Sequence, residues 1–145
     1  MDRPWQGKTV LIIEDSDLMI EELTSIYRKS GMNVVGCAKN GIAGIEKANN
    51  LNPDLVSLDI IMPVMDGIEC YRKLVASKSD QKVLLVSALA REDRVVAAFE
   101  GEIDLDIFVE KPVSFSTMED RLAYVFRTED GSDTADESGE SVSTP

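Results

Sequence analysis

The sequence predicts an α/β fold, a parallel sheet of five strands covered by helices on both faces. Two observations carry this. Short apolar runs of strand length recur along the chain, and between them lie stretches whose apolar residues repeat at helical period. The run Leu55-Val56-Ser57-Leu58 is apolar at nearly every position, the pattern of a strand buried on both faces, and it ends on Asp59. In open α/β sheets ligands bind beyond the carboxyl ends of the strands, which gives a strand-terminal acid weight. Taken alone, Asp59 reads better as a strand-terminating aspartate that solvates a turn, and only its companions overturn that reading.

Taken in order, the first strand spans 9–13 and closes on the acidic pair Glu14-Asp15. A helix is expected over Asp17–Lys29 with Leu18, Ile20, Leu23 and Ile26 turned inward, and Gly31 stops it. The second strand covers 33–38, and a short helix over 41–49 offers Ile42, Ile45 and Ala48 to the core. Asn52-Pro53 breaks the chain before the third strand. A helix over 68–77 leads to a fourth strand at 82–86 that ends at Ser87-Ala88. Another over 91–100 leads to the fifth strand, 106–110, which ends at Lys111-Pro112. The last helix, 116–127, opens with a Ser116-x-x-Glu119 capping signature and turns Met118, Leu122, Val125 and Phe126 inward. Residues 1–7 form a short arm whose Trp5 either packs over an exposed edge or contacts a partner.

If the first and third strands are parallel neighbours, Glu14, Asp15 and Asp59 share one rim. Three carboxylates in one place repel one another and call for a cation. Oxygen ligands of this kind suit a hard divalent ion, and Mg²⁺ binds through a few carboxylates while keeping room for phosphoryl oxygens. Glu14-Asp15-Ser16-Asp17 also fits a helix start, since Ser and Asp favour the N-cap and acids suit the helix dipole. Both readings hold together. Alone, Ser87 reads as a turn former and Lys111 as a solvated lysine. At the same rim they complete a phosphoryl site, with Asp59 as nucleophile and Ser87 and Lys111 on the equatorial oxygens.

These positions, in this order and spacing, resemble the receiver domain of two-component response regulators over residues 8–127. The family's acidic pair matches Glu14 and Asp15, its phosphoacceptor Asp59, its hydroxyl Ser87 and its lysine Lys111. The D-x-x-M-P-x-M-D-G turn runs from Asp59 to Gly67. The resemblance implies a flavodoxin-like, doubly wound sheet of order 2-1-3-4-5, a chemotaxis-type single-domain regulator, and a signalling module that catalyses only its own phosphorylation and dephosphorylation. It implies Mg²⁺ on Glu14, Asp15, Asp59 and the Ile61 backbone carbonyl, with phosphoryl oxygens held by Ser87, Lys111 and the Ala88 backbone. Ser87 and Phe108 would form the switch. The aromatic turns inward as the hydroxyl moves, which alters the face of the fourth helix, fifth strand and fifth helix, where Arg91, Arg94, Glu110 and Arg121 stand. Lys111-Pro112 becomes a candidate cis peptide. Ile61 and Leu89, two residues beyond the phosphoacceptor and the hydroxyl, occupy positions that tune water access to the acyl phosphate. Both are bulky and apolar, which implies a long-lived phosphoaspartate.

At 145 residues the chain is long enough for one domain with a sizeable core. It contains no histidine, so histidine-based catalysis or relay within the chain is excluded. The phosphodonor is then an external histidine kinase or histidine phosphotransfer protein, and the reader of the switched face a downstream protein or effector domain. The resemblance also leaves room for a homodimer. Of the net charge of -12, half falls on residues 128–145, which hold six acids and no base. That segment cannot build a core and is expected to be a disordered acidic tail or a linker stub. Such acidity disfavours direct nucleic-acid binding. No apolar run is long enough to cross a bilayer and no signal peptide is evident, so a cytoplasmic protein is expected. Cys37 and Cys70 show neither metal-ligand spacing nor a disulfide framework and read as reduced packing residues. Two alternatives remain: the receiver piece of a longer regulator with a DNA-binding or enzymatic effector, and an Mg²⁺ phosphatase using an aspartyl phosphate. The latter carries a second acid two residues past its nucleophile, where this chain has Ile61.

Overall fold

Every residue from Leu55 to Asp59 is buried, as a strand with helices on both faces requires. The computed structural model describes residues 3–60, 62, 65–88 and 107–127. Among these, β1 (Thr9–Ile13), α1 (Asp17–Lys29), β2 (Asn33–Ala38), α2 (Gly41–Leu51), β3 (Leu55–Asp59), α3 (Gly67–Ser77), β4 (Lys82–Ser87), β5 (Phe108–Glu110) and α4 (Phe115–Arg127) follow in order. The sheet is wholly parallel with order β2-β1-β3-β4-β5, the doubly wound arrangement expected. The helix expected over 91–100 and the tail at 128–145 lie outside the described residues.

Strand residues alternate between two apolar layers. Leu11, Ile13, Val56, Leu58, Val83 and Leu85 pack with Ala48, Cys70 and Leu74 of α2 and α3. Val10, Ile12, Leu55, Leu84 and Val86 pack with Leu23 and Tyr27 of α1 and Met118, Leu122 and Phe126 of α4. Each fully buried Leu, Ile or Phe contributes about 1.5–3 kcal/mol from area removed from water. The two edges of the sheet are blunted. A register shift between Val10 and Leu11 kinks β2, the Lys47 ammonium donates to the Cys37 carbonyl at 2.7 Å, and β5 is only three residues long.

Several local expectations require correction. Leu18 is 66% exposed and Ile42 57%, not inward. The buried face of α1 runs through Leu23 and Tyr27, and Leu18 lies about 140° around the helix from Leu23 at 100° per residue. In α2 the buried face is made of Gly41, Gly44 and Ala48. A Cβ on Gly44 would meet Ile13 Cδ1 at 2.4 Å, so the helix approaches the sheet too closely for a large side chain there. That helix also runs to Leu51, two residues longer than expected, before Asn52 adopts the left-handed conformation at φ 48° and closes it with a bond to the Ala48 carbonyl. The last helix is capped two residues earlier than Ser116. Ser114 Oγ accepts from Thr117 N at 3.1 Å, and Glu119 instead pairs with Arg3 at 3.1 Å. Cys37 is exposed on β2, while Cys70 is the packing residue expected; burial foremost, with nearby Glu69 and Asp66, pushes its thiol up to about 12.

Trp5 is 5% exposed and belongs to the layer of α1 and α4. Its indole Nε1 donates to the Ser30 carbonyl at 2.8 Å in a buried bond, at the end of α1 where Gly31 turns the chain with φ 99°. Gly7 N donates to the Gly31 carbonyl at 2.8 Å, so the arm is laced to the α1–β2 turn. Trp5→Phe keeps most of the apolar area but orphans that carbonyl. We expect a loss of about 1–2 kcal/mol in urea unfolding; an unchanged midpoint would show that the bond carries no stability.

Candidate functional site

The carboxyl ends of β1, β3, β4 and β5 converge on one rim because the strands are parallel and in register. Asp59 closes β3 opposite Val86, Ser87 closes β4 opposite Glu110, and Glu14 follows β1 directly. Carboxylate oxygens of Glu14, Asp15 and Asp59 lie within 4.8 Å of one another. Glu14, Asp59 and Ser87 are buried, whereas Asp15 is exposed at the mouth. The Lys111 ammonium stands 3.1 Å from Glu14 Oε1 and 3.7 Å from Asp59 Oδ2, and its backbone N–H donates to the Ser87 carbonyl at 3.1 Å. The Lys111-Pro112 peptide is cis, as expected. Phe108, at the start of β5, is buried among the residues of the α2 and α3 layer. Ala88 is exposed beside Ser87; Ile61 and Leu89 lie outside the described residues.

Sequence reasoning missed some supports. Glu14 Oε2 accepts from Ser16 N at 3.2 Å, while Ser16 Oγ caps α1 by accepting from Met19 N at 3.3 Å. This one short loop therefore orients the buried acid and starts the helix together. Asp17 is not the cap; it pairs with Lys39 at 2.6 Å across the mouth, and that contact foremost raises the pKa of the Lys39 ammonium. Gly67 N donates to the Ile60 carbonyl at 2.7 Å, which ties the start of α3 to the end of β3. Ser16 was legible as a cap candidate. The Lys39 and Gly67 contacts join segments that only the folded chain brings together.

Among the described residues, buried Glu14 Oε1 has no hydrogen-bond partner and faces only the Lys111 ammonium at 3.1 Å, and one ammonium does not balance three acids. The donor set, all carboxylate oxygen, fits a small hard cation. Fold and rim together define an α/β signalling module whose acidic pocket suits Mg²⁺ and phosphorylation.

The chain belongs to the response regulator receiver domain family, whose profile matches residues 10–123, and it is of the chemotaxis, CheY-like type. It is 35% identical over 117 residues to the chemotaxis protein CheY of Thermotoga maritima, covering 80% of this chain and 95% of that one. It is 41% identical over 106 residues to a protein-glutamate methylesterase/protein-glutamine glutaminase of Archaeoglobus fulgidus, covering 71% of this chain and 29% of that protein. A chain in the crystal structure of the CheX-CheY-BeF₃-Mg²⁺ complex from Borrelia burgdorferi superposes with a TM-score of 0.76 at 30% identity, covering 86% of this chain and 98% of that chain. Among the described residues, no helix is long and apolar enough to cross a membrane.

Proposed function

We propose that this chain accepts a phosphoryl group on Asp59 from an external histidine kinase or histidine phosphotransfer protein and thereby switches a partner-binding face. The observation that carries the reading is the meeting of Asp59, Glu14, Asp15 and Lys111 at one rim. An Asp59 oxygen attacks phosphorus, the bond from phosphorus to the donor nitrogen breaks, and the electron pair leaves with the imidazole. Mg²⁺, held by Glu14, Asp15, Asp59 and the Ile61 carbonyl, would supply neutralisation of the phosphoryl oxygens. Lys111 and Ser87 bind those oxygens with the Ala88 backbone, and Ser87 and Phe108 relay the change. Residues 8–127 act as the receiver unit, 1–7 as an arm upon it and 128–145 as a tail, in a cytoplasmic protein. The reading gives the chain no methylesterase activity of its own.

Intact mass after incubation with acetyl phosphate tests the proposal. One added phosphoryl group that requires Mg²⁺ and maps to Asp59 supports it. A modification that forms with the metal chelated from the start, or maps elsewhere, overturns it. Lys111→Met removes a cation that competes for Glu14 and Asp59. Its Mg²⁺ affinity is expected to rise on the order of tenfold while phosphorylation slows, and weaker Mg²⁺ binding in titrations would refute the competition.

Ile61 and Leu89 are proposed to shield the acyl phosphate from water. Leu89→Glu with Ile61→Asn is expected to shorten its lifetime by about tenfold, the size of a modest general acid–base or water-positioning effect. Decay after donor removal measures this, and an unchanged rate counts against the shielding role.

A further inference from the structure

We propose that Arg121 is a positioning residue that couples the phosphoryl rim to α4. The inference rests on the receiver reading of that rim. Among the described residues, β5 is an edge strand of three residues paired only with β4. It begins at Phe108 and delivers Lys111 immediately after its end. Because the Lys111 ammonium already faces Glu14 and Asp59, new charge on Asp59 pulls on the residue that terminates this short strand.

From the helix side, Arg121 Nε donates to the Phe108 carbonyl at 3.0 Å. A charged donor on a main-chain carbonyl is among the stronger hydrogen bonds, and the planar guanidinium fixes direction as well as distance. Its neighbours Met118 and Leu122 hold α4 in the same apolar layer as Val109 of β5. That packing is non-directional and tolerates small sliding, whereas the Arg121 bond does not. A small displacement of β5 is therefore passed to α4 through a fixed link. Sequence reasoning set Arg121 among residues presented to a partner; the structure turns it, half-buried, back onto the strand.

Hydrogen exchange read by mass spectrometry on the full chain, with and without fluoroberyllate and Mg²⁺, tests the coupling. In the wild type, peptides over the ends of β3 and β4 and peptides over α4 are both expected to change protection. In Arg121→Ala the strand-end response persists while the α4 response shrinks about fivefold, a size single residues reach along coupled networks. Arg121→Lys, which retains a donor, restores part of it. Arg121→Met, which keeps the apolar stem and has no donor, carries the same comparison if the alanine variant does not fold. An α4 response in the truncated variant equal to that of the wild type overturns the coupling role while leaving the receiver reading intact. Absence of any strand-end response in the wild type overturns the receiver reading, and this inference falls with it.

Discussion

Asp59→Ala is expected to take up no phosphoryl group under conditions in which the wild type gains one, with no loss of stability. Asp59 is 4% exposed at the end of the central strand, and among the described residues no other carboxylate combines that position with the Lys111 ammonium at 3.7 Å. Glu14, the nearest substitute, is committed by one oxygen to Ser16 N and faces Lys111 with the other. Losing a covalent nucleophile removes the pathway itself, so the rate is expected to fall by at least about a thousandfold. Stability should move the other way. The three acids lie within 4.8 Å of one another, and like charges so close destabilise the fold. Without Asp59, Lys111 keeps Glu14 as its partner. Thermal unfolding without Mg²⁺ is therefore expected at an equal or higher midpoint, with the two mass spectra differing by one phosphoryl group. A phosphorylated Asp59→Ala protein would move the acceptor elsewhere. A markedly less stable one would mean that Asp59 is held chiefly as a structural ion-pair partner of Lys111.

The site was legible because its parts are local in sequence. β3 and β4 end on Asp59 and Ser87, β1 and β5 are followed directly by Glu14 and Lys111, and parallel strands gather their carboxyl ends without help from distant contacts. Glu14, Asp15, Asp59, Ser87 and Lys111 could thus be named from apolar runs alone, and their roles from resemblance. The bounds of β1, α1 and β2 follow from the same runs.

Helix faces were less legible, for a physical reason. Periodicity credits the largest apolar side chains, but α2 seats Gly41, Gly44 and Ala48 against the sheet and leaves Ile42 outside. Close approach, not hydrophobicity, chose that face. Likewise Tyr27, on the buried face of α1, escaped notice as a polar-tipped aromatic; burial, partly offset by the Ser57 hydroxyl beside it, pushes its phenol well up and keeps it neutral. The Trp5 bond to Ser30, the Arg3–Glu119 pair and the Arg121 bond to Phe108 span 25, 116 and 13 residues. No local pattern encodes such partners. The arm illustrates the cost: Trp5 was legible only as an oddity, although it is part of the core.

Gly67→Ala is expected to lower stability by about 3 kcal/mol and to slow Mg²⁺-dependent phosphorylation about a hundredfold in the protein that remains folded. The cause is room, since Gly67 is the first residue of α3 and is not among the positive-φ glycines. A Cβ there would lie 2.4 Å from the Asp59 carbonyl oxygen and 2.4 Å from Ile60 Cα. Both are main-chain atoms and cannot rotate aside as a side chain does. The start of α3 is held in place by Gly67 N on the Ile60 carbonyl at 2.7 Å and by Asp66, which caps α3 by accepting from Glu69 N at 2.9 Å. A methyl group must therefore push the end of β3 away from α3, and the Asp59 carboxylate is carried with it, out of place relative to Glu14 and Asp15. Gly7→Ala supplies the control. Gly7 has φ 79° with nothing within 4 Å of its Cβ position, so it should cost about 1 kcal/mol from backbone strain and leave the rate untouched. Urea unfolding and the acetyl phosphate rate, measured on both variants, separate the contributions. If Gly67→Ala is destabilised yet phosphorylates at the wild-type rate, the glycine serves the fold alone and the position of Asp59 does not depend on the close approach of α3.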